Sequence, residues 1–334
     1  MKINKKELLD ALERVKPGLA SKELIAQTTS FAFIKGRVVT YNDTISISHP
    51  VPGLDLEGAI QAEGLFKFLN KVKKDDLELE IVGNEITLTS GRAKAGFTLQ
   101  TEIKLPLDNE IMERTEWRVL SEDFIKAIQF VMSACSRDST VCNSVCVERS
   151  GAITATDNYR IARYTLADDM PCMTFLLPSD AAVEVVKLNP VHIAEGNGWV
   201  HFETEEGTII SCRTSEGIFP NVSQILTIKG EKLELPKAID EILDRAMVFA
   251  KRDHILEESV KVSISDRAFK VRATSDTGWF EEETNIKYEG TLAFSIAPYL
   301  LKDILSKTLV CEVCGNKLMF EGSNWVYITL LMIA

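Results

Sequence analysis

The chain has 334 residues, 45% of them hydrophobic and 26% charged, a balance that excludes a disordered chain and is too long for one ordinary small domain. Its formal net charge of −11 excludes a protein that binds nucleic acid by bulk attraction, while leaving room for a local basic face. No apolar run approaches the roughly 20 residues that span a bilayer, and the opening MKINKKELLDAL is charged and amphipathic rather than a secretory leader, so a cytoplasmic location is expected.

In chain order, the first element is a short strand, Lys2 to Asn4, feeding the helical run KKELLDALERV. Asn4 is a good N-cap, and Leu8, Leu9, Leu12 and Val15 fall at helical spacing. The same strand-then-helix mark returns at Trp117 to Ser121 followed by EDFIKAIQFVM, and at Lys232 to Leu235 followed by PKAIDEILDRAMVFA. Ser121 suits an N-cap there, and Pro236 a first helical position. A second mark is a strand ending near an aspartate in a polar turn, at Asp43, Asp157 and Asp276, which lie 114 and 119 residues apart. A third is a Gly-Asn pair between alternating strands, Gly83-Asn84, Gly196-Asn197 and Gly315-Asn316, following those aspartates by 40, 39 and 39 residues. Gly supplies the positive φ that a two-residue hairpin turn demands. Before each pair lies a shorter helical segment, at Gly64–Val72, Asp180–Val186 and Pro298–Leu305.

Three marks in constant order and near-constant spacing describe three copies of one unit. The copies run 1–114, 115–228 and 229–334, and each reads strand, helix, strands, helix, strands, so that it carries an internal half-repeat. The expected fold class is α+β, with one-sided helices on antiparallel sheets. Six half-units suggest an arc, which closes into a ring with a second copy by head-to-tail contacts if the rotation closes.

The chemistry of an enzyme is not apparent. The four histidines, His49, His192, His201 and His254, have no nucleophile or metal-ligand spacing, and GxxxxGK[ST], GxSxG and HExxH are absent. Cys311 and Cys314 have CxxC spacing but lack a second ligand pair for zinc. The seven cysteines, odd in number and mostly in apolar runs, read as buried free thiols. No metal and no cofactor are expected.

The segment ATDNYRIA, Ala155 to Ala162, packs Asp157, Tyr159 and Arg160 into four residues. It resembles the Thr-Asp-x-x-Arg-Leu-Ala segment of the bacterial sliding clamps, the β subunits of DNA polymerase III. The run Glu216 to Asn221, EGIFPN, resembles that family's segment closing the middle domain, and MKINKKELLDALERV and Arg245 to Ala250 match in kind. The resemblance covers the whole chain in order. Departures include Thr227 and Leu331 where prolines are common, and they fit a divergent member of the phage or mobile-element type.

The resemblance implies a non-enzymatic processivity factor: a head-to-tail homodimer of three-domain chains that encircles duplex DNA, independent of sequence, and tethers a polymerase and a clamp loader. The implied DNA-contacting set is Lys22, Lys67, Lys71, Lys73, Lys74, Arg137, Lys187, Arg245, Arg252 and Lys302. The stretch from Ala62 to Lys74 carries four of these lysines against Glu63 alone. The family also docks partner peptides in a pocket between its middle and third domains. Carried over by position, that pocket falls on Cys142, Thr156, Asn158, Tyr159, Arg160, Ile161, Thr227, Leu330, Leu331 and Met332. The alternatives are a clamp-like protein-binding scaffold and a clamp inhibitor, neither of which encircles DNA.

Overall fold

A computed structural model describes residues 1–107, 114–137, 141–227, 229–252 and 257–332. Ile228, His254, Ile333 and Ala334, all touched by the sequence reading, lie outside the described residues. The described chain is α+β, with six α-helices: α1 (Lys5–Val15), α2 (Ala62–Lys71), α3 (Phe124–Val131), α4 (Ser179–Leu188), α5 (Ile239–Ala250) and α6 (Pro298–Leu305). None of them is long and apolar enough to cross a membrane. The chain divides into two compact units, residues 1–125 with 168–216 and residues 126–167 with 217–334.

In the first unit, Asn4 caps α1 as its sequence suggests, its Oδ1 accepting from the Lys6 amide at 2.9 Å and the Glu7 amide at 3.3 Å. Leu8, Leu12 and Val15 form the buried stripe of that helix. They pack on the central strands Arg37–Tyr41 and Ile45–Pro50. The Thr40 hydroxyl donates to the Val15 carbonyl at 2.5 Å and ties the helix end to the sheet. The large sheet runs Gly58–Gln61, Ser30–Ile34, Arg37–Tyr41, Ile45–Pro50, Ile209–Arg213, Trp199–Glu203, His192–Glu195, Arg118–Val119. Its middle pair sets Ile45 opposite Cys212 and Ile47 opposite Ile210, so strands from the first and second thirds of the chain share one ladder. A smaller sheet orders Lys2–Asn4, Asp76–Val82, Glu85–Ser90 and Ala93–Thr98, with the last strand on its edge.

The second unit repeats this plan. Its large sheet includes, in order, Ser144–Val147, Ala152–Thr156, Arg160–Thr165, Trp325–Leu330, Lys317–Glu321, Val310–Cys314 and Glu231–Glu234. Here Ile161 faces Ile328 and Arg160 faces Thr329. The small sheet runs Gly278–Asn285, Ala268–Ser275, Val260–Ser265, Leu292–Ile296. Helices α5 and α6 pack together, with Ile239, Ile242, Leu243 and Ala246 of one and Leu300, Leu301 and Ile304 of the other buried. The Tyr327 hydroxyl donates to the Leu300 carbonyl at 2.6 Å and fixes α6 to the large sheet.

Two local expectations need correction. Pro236 does not open its helix: Ile239 does, its amide bonding back to the Pro236 carbonyl at 3.0 Å across a turn in which Ala238 (φ −79°, ψ −1°) leads into the helix. Gly83 and Gly315 take the positive φ expected of them, but in the middle hairpin that burden falls on Gly198 (φ 72°). The turn there is the two residues Asn197 and Gly198, because the Gly196 amide bonds across to the Trp199 carbonyl at 2.8 Å and so shifts the loop one residue along, putting the positive φ on a glycine without a Cβ.

Candidate functional site

The ATDNYRIA segment ends the strand Ala152–Thr156 and starts the strand Arg160–Thr165. Asp157 closes the turn between them, with Oδ1 accepting from the Tyr159 amide at 3.0 Å and the Arg160 amide at 2.9 Å. Asn158 takes the left-handed conformation, φ 71°, that Asn tolerates better than most residues. The first unit's turn uses the same construction one residue earlier than the aspartates suggest. There Asn42 Oδ1 accepts from Thr44 at 3.1 Å and Ile45 at 2.9 Å, and Asp43 is the left-handed residue at φ 76°. The structural equivalents are therefore Asn42 with Asp157, Asp43 with Asn158 and Ile45 with Arg160. Carboxamide and carboxylate both accept the two amides, which is why the aspartates align in sequence without doing the same work.

Arg160 is buried and fully engaged. Its Nε donates to Asp157 Oδ2 at 3.0 Å, Nη1 to Asp303 on α6, and Nη2 to the Ser133 carbonyl; its plane lies 5.2 Å from the Tyr299 ring. Burial works against the charge, but Tyr327, Asp157 and Asp303 more than offset it, and the guanidinium is held above the ordinary arginine value. Burial and the Asp157 charge push Tyr299 up to about 12. This arginine positions the turn and α6; its hydrogen-bonding edges are committed.

Against this turn lies a cleft of about 240 Å³, contained within the second unit. Of the pocket residues expected from sequence, Thr156, Asn158, Tyr159, Arg160, Ile161 and Leu330 line it. Four do not. Cys142 is buried, its carbonyl accepting from the Ser136 amide, and Thr227 is exposed, its hydroxyl donating to Gln224. Leu331 packs inward, and Met332 pairs with Ser295. Strand alternation explains Leu331: Ile328 and Leu330 share one face, so Leu331 points the other way. Sequence reasoning missed Pro220, Asn221, Val222, Ile225, Lys317 and Ile328. The signal for the first two was the EGIFPN run, and for Ile328 the same alternation. The cleft is below the roughly 300 Å³ of a small-molecule site and suits one or two aliphatic side chains. Lys317 supplies a cation at its rim.

At the equivalent place in the first unit, Ser211 and Arg213 occupy the positions of Ile328 and Leu330. Arg213 lies over the Trp199 ring at 4.7 Å, and donates to the Asp43 carbonyl at 2.8 Å and the Asp43 carboxylate at 3.0 Å. Beside it His201 is wholly buried, with Nδ1 2.8 Å from the Ser211 hydroxyl and Nε2 without a partner among the described residues. Burial, helped by the Arg114 charge, pushes its imidazole down to about 4.

The cations expected to meet DNA divide sharply. Lys22, Lys71, Lys73, Lys74 and Arg137 are exposed, and no acidic partner holds them among the described residues. Lys22 and Lys67 share a cavity of about 560 Å³ with Lys16, whose ammonium sits 4.6 Å from the Phe66 ring. Lys67 itself pairs with Glu63. The others are engaged: Lys187 with Glu184, Arg245 through two 2.8 Å bonds to Glu282, and Lys302 with Asp240 and Asp244. Arg252 donates to the carbonyls of Lys251 at 2.8 Å and Thr274 at 2.6 Å.

The cysteines are free thiols, five of them buried. Desolvation pushes Cys135, Cys172 and Cys311 up to about 12, far from nucleophilic range. Among the described residues no group of three His, Cys, Asp or Glu side chains could hold a metal.

No family model matches the chain, and no curated protein matches it. Solved structures do. The Pseudomonas aeruginosa sliding clamp (DNA polymerase III subunit beta) bound to griselimycin superposes with a TM-score of 0.86 at 16% identity, over 100% of this chain and 99% of that one. The Bacillus subtilis sliding clamp gives 0.84 at 19%, over 100% and 98%. The beta chain from Streptococcus pneumoniae gives 0.85 at 18%, over 100% and 99%. The chain has the sliding-clamp fold from end to end.

Proposed function

We propose that this protein is a DNA sliding clamp: two copies, joined head to tail, encircle duplex DNA and tether replication proteins through aliphatic segments seated in the cleft at Ile161, Ile328 and Leu330. The three-domain partition at 1–114, 115–228 and 229–334 belongs to the same proposal, as do a polymerase and a clamp loader as partners and the cytoplasm as the place of action. The work is topological, so no catalytic residue or cofactor enters. The observation that carries the reading is the superposition on clamp structures over the full length of both chains.

Two further features support it. The edge strand Ala93–Thr98 carries Lys94 and follows Arg92, whereas the edge strand Gly278–Asn285 carries Glu281, Glu282 and Glu283. A basic edge on one copy and an acidic edge on the next can pair by strand addition, which removes both open edges. Lys22, Lys71, Lys73, Lys74 and Arg137 offer sequence-independent phosphate contacts, weak enough for the ring to slide. Lys67, Lys187, Arg245, Arg252 and Lys302 can join them where phosphate displaces their present partners.

A scaffold that docks peptides without encircling DNA is the second reading. It is favoured by the carboxylates already bound to Lys187, Arg245 and Lys302. Sedimentation separates the two, because the ring requires a dimer at working concentration and a monomer throughout the accessible range would remove it. Replacing Lys71, Lys73 and Lys74 by glutamate is expected to lower duplex affinity about tenfold or more at low salt and to flatten its salt dependence. Unchanged affinity would break the assignment.

A further inference from the structure

A second, larger cavity of about 530 Å³ lies in the second unit, between the end of α3, the end of α6 and the strands that carry Tyr164 and Trp325. It is within the roughly 300–1,000 Å³ range of small-molecule sites. One wall is aromatic: Phe130 stands 5.2 Å from Trp325 and 6.2 Å from Tyr164, centroid to centroid. Trp325 and Phe130 are only partly buried. Asn324 Nδ2 donates to the Tyr164 hydroxyl at 2.6 Å, which fixes a carboxamide at the rim. Two exposed lysines, Lys126 and Lys307, flank the opening. Among the described residues the only carboxylate on the lining is Asp303, which pairs with Arg160.

An aromatic wall, with the Phe130 and Trp325 planes tilted 48° to each other, an amide at its edge and two ammonium groups at its mouth, is the chemistry that recognises a base carrying a phosphate. Bases stack on aromatic side chains whatever their identity, and lysines meet the phosphate as point charges. We propose that this cavity binds a nucleotide, with the base against Phe130 and Trp325 and the phosphate between Lys126 and Lys307. The nucleotide is either free or one unit of a single strand. This site is separate from the peptide cleft and does not depend on ring formation.

The test is calorimetric titration of the whole protein with thymidine 5′-monophosphate, thymidine and a ten-residue oligothymidylate. Saturable binding is expected for the monophosphate, the oligomer or both, and the pattern identifies the source. Thymidine should bind about tenfold more weakly than its monophosphate. The exposed change Lys307→Glu and the wall change Trp325→Leu should each weaken binding about tenfold. The triple charge reversal at Lys71, Lys73 and Lys74 should leave monophosphate binding unchanged, which separates this site from the duplex-binding surface. Absence of saturable binding by both phosphate-bearing probes would overturn the proposal. So would binding that survives Lys307→Glu at full strength, whether or not the Trp325 variant folds.

Discussion

The two strand joints, Asn42 to Ile45 in the first unit and Asp157 to Arg160 in the second, share a backbone and differ in what fills it. Both turns are closed by an Asn or Asp side chain accepting two amides, and both place a left-handed residue next. At the position after the turn the first joint buries Ile45 and the second buries Arg160. On the partner strand the first presents Ser211 and Arg213 and the second Ile328 and Leu330. In the first joint Arg213 folds over Trp199 and closes the surface. In the second the arginine is drawn beneath the turn by Asp157 and Asp303, and the two aliphatic side chains are left lining an open cleft. One architecture thus gives a sealed joint and an open cleft, and the choice is made by which strand carries the arginine.

The change expected to break this difference most is Arg160→Ala. It leaves Asp157 and Asp303 facing each other without their cation, at a cost of about 3 kcal/mol or more to the second unit. The denaturation midpoint, followed by fluorescence, measures it, and Arg160→Lys should recover only part of the loss because a lysine cannot span three acceptors. Acid should act on the other joint. The unfolded chain protonates His201 near 6.5 while burial holds the folded imidazole near 4. The neutral-histidine contribution is therefore complete above about pH 6.5 and lost as pH falls toward 4, on the order of 3 kcal/mol. The described part of the second unit holds no buried imidazole. A His201→Phe variant, keeping volume without the titration, should flatten the acid limb of the first unit's stability curve. Smallest is Arg213→Ala, expected to cost under about 1 kcal/mol because the side chain is 40% exposed. A loss as large as that of Arg160→Ala would mean that the two joints do not differ as described.

The one-sided helices, the Asn4 cap and the glycine hairpins at Gly83 and Gly315 were legible because they rest on local chemistry. What misled was alignment by residue identity. Asp43 and Asp157 match by type, yet the amide-accepting role in the first joint belongs to Asn42. The cleft was half legible. Thr156, Asn158, Tyr159, Arg160, Ile161 and Leu330 came from the resemblance, and Ile328 could have been added from strand alternation. Val222 and Ile225 follow the EGIFPN run without a mark of their own, and Lys317 comes from a strand distant in sequence. Least visible was the pairing of cations: Glu282, the main partner of Arg245, lies 37 residues away, so only the folded sheet reveals that this charge is already answered.

The proposed hold on DNA is by encirclement. The most direct measurement loads it onto nicked circular DNA at moderate salt and then linearises the circle. A ring slides off the free ends, so retention should collapse on linearisation and persist on the intact circle. Retention that is equal on the two forms would mean an ordinary DNA binder and would contradict the account.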